Sequence, residues 1–349
     1  MSAGAESTAR RRSQQGRDIP SLYRRLTMRS IPALFTMAAV AAALSSCADG
    51  AGVSAPERAE LVGQAGRGVG TTFVSFDPPG SALTLATDIN TRGEIVGRYM
   101  SAGKTHGFLR EPDGTISTID YPGSGFTVAA SINDAGAISG WYTLPAAPAV
   151  RHGFVLQGSV FTSLDPAGAT FTNALGISES GDVVGRFCTA VTCRPVGSGD
   201  FHGFLYQDGG FVVLDVPGAT ETDAFKEQAN GAVVGGFMES GVGGLFVYRS
   251  GTFTTFTLPN GRNVSLDDGG TNSRGDIVGT YCDLPGACSV GPFQEHGFLW
   301  SGGELTTIDY PGAQATSAVG INEQGDIVGG YIDANGHPSG YLVTRNATD

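Results

Sequence analysis

Residues 304–343 read ELTTIDYPGAQATSAVGINEQGDIVGGYIDANGHPSGYLV. Four short apolar runs stand in this stretch: A (305–309), B (316–322), C (326–331) and D (339–343). Each is rich in Val, Ile, Tyr and Thr and is bounded by Gly, Asn, Asp or Pro, which is the signature of a strand. No helical period of a dozen residues appears after Cys47, so the expectation is an all-β fold.

The same wording recurs. An Asp-x-x-Gly turn begins at Asp77, Asp120, Asp165, Asp215 and Asp309, with a degenerate copy at Thr257, at spacings of 43, 45, 50, 42 and 52 residues. An Ile-Asn-x-x-Gly turn or its relic ends at Gly93, Gly136, Gly181, Gly231, Gly275 and Gly325. A Val-Gly (once Ser-Gly) pair ends four residues later, at Gly97, Gly140, Gly185, Gly235, Gly279 and Gly329. Run D joins the next A through tight turns such as Gln157-Gly158-Ser159 and Ser250-Gly251, and B joins C through turns such as 133–136. Two tight hairpins per unit make a four-stranded antiparallel sheet. About 45 residues and four strands is the size of a propeller blade. The expectation is a six-bladed β-propeller over residues 71–344, with 345–349 a short tail. An open β-solenoid is the rival. The first strand (72–76) is an A run and the last (340–344) a D run. Those two types pair elsewhere, so the first and last strands should pair with each other and close the ring.

Residues 1–46 read as a signal peptide, with Met28 a plausible start, Arg29 a positive flank and 31–44 an apolar stretch of 14 residues. That length is too short for an ordinary spanning helix. Leu44-Ser45-Ser46-Cys47 resembles a bacterial lipobox, which implies cleavage before Cys47 and its lipidation. Ala48 rather than Asp follows the Cys, which implies an outer-membrane or cell-surface lipoprotein, with the membrane as partner through that anchor. Residues 47–70 are small and non-periodic and read as a lipidated flexible tether.

The chain carries a net charge of −12. Residues 1–46 hold seven Arg against Glu6 and Asp18, so the exported remainder carries −17. Nucleic acid is therefore excluded as a partner. The remaining cysteines form two close pairs, Cys188/Cys193 and Cys282/Cys288, each between a C and a D run. Two local disulfides are expected, as an oxidising compartment allows. A four-Cys metal site is the rival reading.

His106, His152, His202 and His296 each open a His-Gly-Phe and stand 13 or 14 residues before Asp120, Asp165, Asp215 and Asp309. About a tight turn, that spacing sets each His opposite an Asp. In one unit both vanish together, as Gly244 and Thr257. They read as structural cross-strand pairs. Catalytic dyads are disfavoured because no Ser or Cys nucleophile recurs beside them. Strand B has Ala four before the Asn (Ala86, Ala129, Ala174, Ala224, Ala318) and should line a central channel. Asp88, Asp223, Asp267 and Asp268 stand out there. Converging carboxylates could hold Ca²⁺ or act as acid and base; solvated acids at the channel mouth are the plainer reading, with no cofactor and no resident metal. The Gly of Val-Gly is expected to let blades approach. The C–D loops, such as 142–151, 188–201 and 282–295, are long, and the end that carries them is where binding is expected.

His106 to Leu109, Thr306 to Ala313 and Gly320 to Gly329 together resemble the HAF repeat of probable extracellular bacterial proteins. The resemblance covers 71–344, with Gly where the family's name has Ala, and 222–228 departs from it. It implies export and a propeller-like fold and supplies no accepted activity. The functional expectation is a monomeric envelope platform for a glycan, peptide or envelope protein, leaning away from an enzyme. The alternatives are a carbohydrate- or lactone-active hydrolase or lyase with a channel metal, or a purely structural envelope protein.

Overall fold

The computed structural model describes residues 58–61, 71–189, 193, 201–257, 263–282 and 295–345. Cys47, Cys288 and the expected signal peptide lie outside them. Every regular element described is a strand.

β1 (Arg58–Leu61) and β2 (Thr71–Phe76) are followed by repeating four-strand groups. Group 1 is β3 (Leu83–Ile89), β4 (Ile95–Ser101), β5 (Lys104–Arg110) and β6 (Ile116–Ile119). Group 2 is β7 (Phe126–Ile132), β8 (Ile138–Leu144), β9 (Ala147–Gln157) and β10 (Val160–Leu164). Group 3 is β11 (Phe171–Ile177), β12 (Val183–Cys188), β13 (His202–Gln207) and β14 (Gly210–Leu214). Group 4 is β15 (Glu221–Glu227), β16 (Val233–Glu239), β17 (Val242–Arg249) and β18 (Thr252–Phe256). Group 5 is β19 (Asn263–Thr271), β20 (Ile277–Cys282), β21 (Glu295–Ser301) and β22 (Glu304–Ile308). Group 6 is β23 (Ala315–Ile321), β24 (Ile327–Ile332) and β25 (Pro338–Arg345), completed by β2.

Six separate sheets were expected, and hydrogen bonding makes four. One has five strands (β1-β2-β25-β24-β23), one has twelve, and two have four. Groups 1 to 3 fuse because the D strand of one group passes the start of the next inner strand closely enough for one parallel bridge, Thr105 with Phe126 and Arg151 with Phe171. No sheet closes on itself. β2 pairs antiparallel with β25 from Thr71↔Arg345 to Phe76↔Gly340. β1 adds outside β2, so four residues of the stretch expected to be a tether are strand. The loop expected over 142–151 is also strand: β8 and β9 continue as a hairpin to the Leu144↔Ala147 pair.

Each group buries one ring at one register. Phe108, Phe154, Phe204, Phe246, Phe298 and Tyr341 are all fully buried, each contributing about 1.5–3 kcal/mol. The Val-Gly glycine makes room for that ring within its own group. A Cβ on Gly140 would lie 2.0 Å from the Val128 carbonyl oxygen and 2.7 Å from the Phe154 ring. The His-Gly-Phe glycine is the one that faces the neighbouring group: a Cβ on Gly297 would lie 3.1 Å from Ala318. The expected role of Val-Gly in letting blades approach is thus corrected.

The inner strands β3, β7, β11, β15, β19 and β23 are stitched at their turns. Asn90 Nδ2 donates to the Asn133 carbonyl (3.2 Å) and Asn133 to that of Ser178 (2.9 Å). Gln228 donates to Asn272 (3.1 Å), Asn272 to Asn322 (3.2 Å) and Asn322 back to Asn90 (3.3 Å). The run of bonds lacks its link from Ser178 to Gln228, where Ser stands in place of Asn. The inner alanines Ala86, Ala129, Ala174, Ala224 and Ala318 are fully buried. The residue after each is bulged out of register in all five.

Candidate functional site

The bulges decide what fills the middle. Thr87, Ala130, Leu175, Phe225, Gly269 and Val319, one residue from each inner strand, line a single cavity of about 30 Å³ together with Trp141. That space holds about one water. The expected carboxylate-lined channel is therefore a small and mostly apolar cavity.

The acids themselves are placed differently from the expectation. Asp88 is 4% exposed and accepts from Ser131 Oγ (2.5 Å), from the Ile132 amide (3.0 Å) and from Lys226 Nζ. Lys226 belongs to β15 and also reaches Ser131 (3.1 Å), so one ammonium joins β15 to β3 and β7. Asp223 is fully buried and accepts from Arg186 (2.7 Å). Neither acid is solvated, and each has its own cation, as burial of a carboxylate requires. The side chains of Asp267 and Asp268 lie outside the described residues. Among the described residues no three His, Cys, Asp or Glu side chains are grouped to hold a metal ion.

Four His–Asp contacts stand where the hairpin spacing puts them. Nδ1 of His106, His152, His202 and His296 lies 2.9, 2.8, 3.0 and 3.0 Å from Asp120, Asp165, Asp215 and Asp309. Each imidazole packs on an aromatic ring of strand C: Tyr99, Tyr142, Phe187 or Tyr281. Burial pushes the Tyr142 hydroxyl up to about 12, against the bond to Ser163. In group 6 the His position is Ser339, and His337 instead lies 3.9 Å from Asp77. Cys188 and Cys193 form a disulfide packed with Phe171 and Phe201. Cys282 is disulfide-bonded, and its expected partner Cys288 lies outside the described residues.

The register just after Val-Gly distinguishes the groups. It holds Arg98, Trp141, Arg186, Gly236, Thr280 and Gly330 in turn. In group 3, Arg186 is 4% exposed, bonded to Asp223, and 3.8 Å from Glu221. Its guanidinium also lies 5.0 Å from the Phe201 ring. That corner is filled and charge-paired. In group 1, Arg98 occupies the equivalent position, but the next inner strand carries Phe126 and Val128 where β15 carries Glu221 and Asp223. Among the described residues Arg98 has no carboxylate partner, and its Nε is buried without a hydrogen bond.

Arg98 instead lines a cavity of about 280 Å³. Gly330 also lines it, and Leu85 fills the place its side chain would take: a Cβ there would lie 2.7 Å from Leu85. Thr84, Thr280, Ser317, Glu295 and Tyr331 supply its polar lining. Thr280 is 2% exposed, and its Oγ1 has no partner. The cavity sits at the A–B and C–D end of groups 1, 5 and 6, the end expected to bind. The sequence signal was present: six in-phase residues of which two are Arg and only one has acids on the next strand. It was missed because Val-Gly itself held the attention.

No family model matches the sequence, and no curated protein does. Among solved structures, a streptogramin B lyase matches with 13% identity, a TM-score of 0.44 and coverage of 80% of this chain and 88% of that one. A virginiamycin B lyase from Staphylococcus aureus gives 12%, 0.44, 78% and 99%. YCF48 bound to D1 peptide gives 11%, 0.40, 79% and 96%.

Proposed function

We propose that the chain is an exported HAF-repeat protein, lipid-anchored through Cys47 at the outer membrane or cell surface. Its six four-strand groups close as a six-bladed propeller that serves as a binding platform. Closure is supported by the β2–β25 pairing, by the hydrogen bonds that return from Asn322 to Asn90, and by the six inner strands around one cavity. The ligand seats at the loop end, and the observation that carries this is Arg98, unpaired over a cavity of about 280 Å³. A glycan, a peptide or an envelope protein meets this description. A photo-crosslinking residue at Leu83, on the cavity, should capture an envelope component, while the same residue at Val213, on an outer strand, should not. Equal capture at both positions, or none at Leu83, removes the platform reading. Cys47→Ala should move the chain from the membrane to the soluble fraction.

A further inference from the structure

We propose that the cavity is a subsite for the carboxylate-bearing ring of an acidic sugar. The inference rests on the loop end being the binding end and names what that end recognises. Two unpartnered polar groups point to an absent ligand. Arg98 carries a guanidinium whose counterpart in group 3 lies against two acids and which itself meets none among the described residues, although Nε is unbonded in both arginines. Thr280 holds an almost fully buried hydroxyl without a partner on the same cavity.

The donor set selects the ligand. A guanidinium fork matches a carboxylate with two parallel bonds. Arg98 is the only Lys or Arg among the described lining residues, and Glu295 lines the same space. A single guanidinium provides for one carboxylate and not for the double charge of a phosphate. Thr84 and Ser317 supply hydroxyls for the ring hydroxyls, while Leu85 and Tyr331 present apolar surface to a ring face. A volume of about 280 Å³ lies just below the range of about 300–1,000 Å³ typical of drug-sized sites, which fits one ring. The net charge of −17 on the part after residue 46 opposes an anion at long range, but it is screened beyond about 8 Å in physiological salt. Recognition is thus a contact effect of Arg98.

The test is isothermal titration of the mature wild-type chain with galacturonate and glucuronate, beside galactose, glucose and inorganic phosphate. A uronate should bind at least tenfold tighter than its parent hexose. Arg98→Gln should erase that difference by weakening uronate at least tenfold, and Arg98→Lys should restore part of it. Thr280→Val should weaken uronate and hexose alike, about threefold. Near-ultraviolet circular dichroism establishes that each variant is folded. Equal binding of uronate and hexose overturns the proposal, as does indifference to Arg98→Gln or a preference for phosphate. If no sugar binds while crosslinking at Leu83 still captures a partner, the acidic-sugar inference fails and the platform stands. If both fail, both are wrong.

Discussion

Lys226 stands where the repeat departs from its wording, at the register held by Asp88, Ser131, Gly176 and Gly320 in other inner strands. Its ammonium meets a carboxylate 138 residues away in sequence, with 18% of the Lys and 5% of the Asp side chain exposed. Lys226→Met should cost about 3 kcal/mol in urea unfolding, because it leaves a buried charge without its partner. Adding Asp88→Asn should return part of that loss, and a single variant as stable as wild type would show the contact to be idle. The next residue, Glu227, is raised above its usual range by burial and by the nearby Asp182 charge, against a bond to Ser178. A carboxyl raised in the folded state holds its proton longer than the unfolded chain does, so its contribution to stability falls as pH rises past 4.5, the ordinary value. Glu227→Gln should therefore raise the melting temperature at pH 7 and leave it nearly unchanged at pH 4. An unchanged melting curve at pH 7 would count against the shift. The His–Asp contacts were legible because 13 or 14 residues about a tight turn fix the register locally. The Lys226–Asp88 link was not, because nothing within a group says which side chain reaches across the middle.

At the scale of the strand, small residues have separate duties that sequence alone merges. Val-Gly and His-Gly-Phe each bring a glycine to a crowded place, one under the group's own buried ring and the other against the neighbouring inner strand. Gly140→Ala should cost at least about 3 kcal/mol, the upper range for overpacking, since the new methyl carbon would lie 2.0 Å from a backbone oxygen. Gly210→Ala should be neutral or stabilise by up to about 1 kcal/mol; its nearest neighbour would lie at 3.8 Å and its φ is not positive. Equal effects in thermal unfolding would refute the distinction. The turn asparagines show the same limit of legibility. Asn90 Oδ1 accepts from Arg92 and Glu94 within its own turn, which already explains an Asn there. Its amide, reaching the next group, left no further mark in the text.

For the molecule as a whole, β2 is the piece whose loss should be felt everywhere. It buries Phe73 and Phe76 and pairs with six residues of β25. A chain beginning at residue 77 should lose roughly 5 kcal/mol, from two buried rings and their packing. Its β25 edge is then bare, so it should self-associate in size-exclusion chromatography. A peptide of residues 71–76 added in trans should reverse both effects. A truncated chain that melts like the full one would dismiss the clasp. The repeat foretold that partnership because strand type alone names who lies beside whom. It could not foretell that β1 would add outside it, since four residues without a repeat partner carry no such label.

Phe225 and Leu175 narrow the middle of the domain to a cavity of about 30 Å³, and the Lys226 ammonium reaches across from β15 to Asp88. The cleft beside Arg98 is separate from that middle and has room for about one ring. A glycan seated there would be read one residue at a time, so such a protein would answer to which sugar a polymer carries and not to its length.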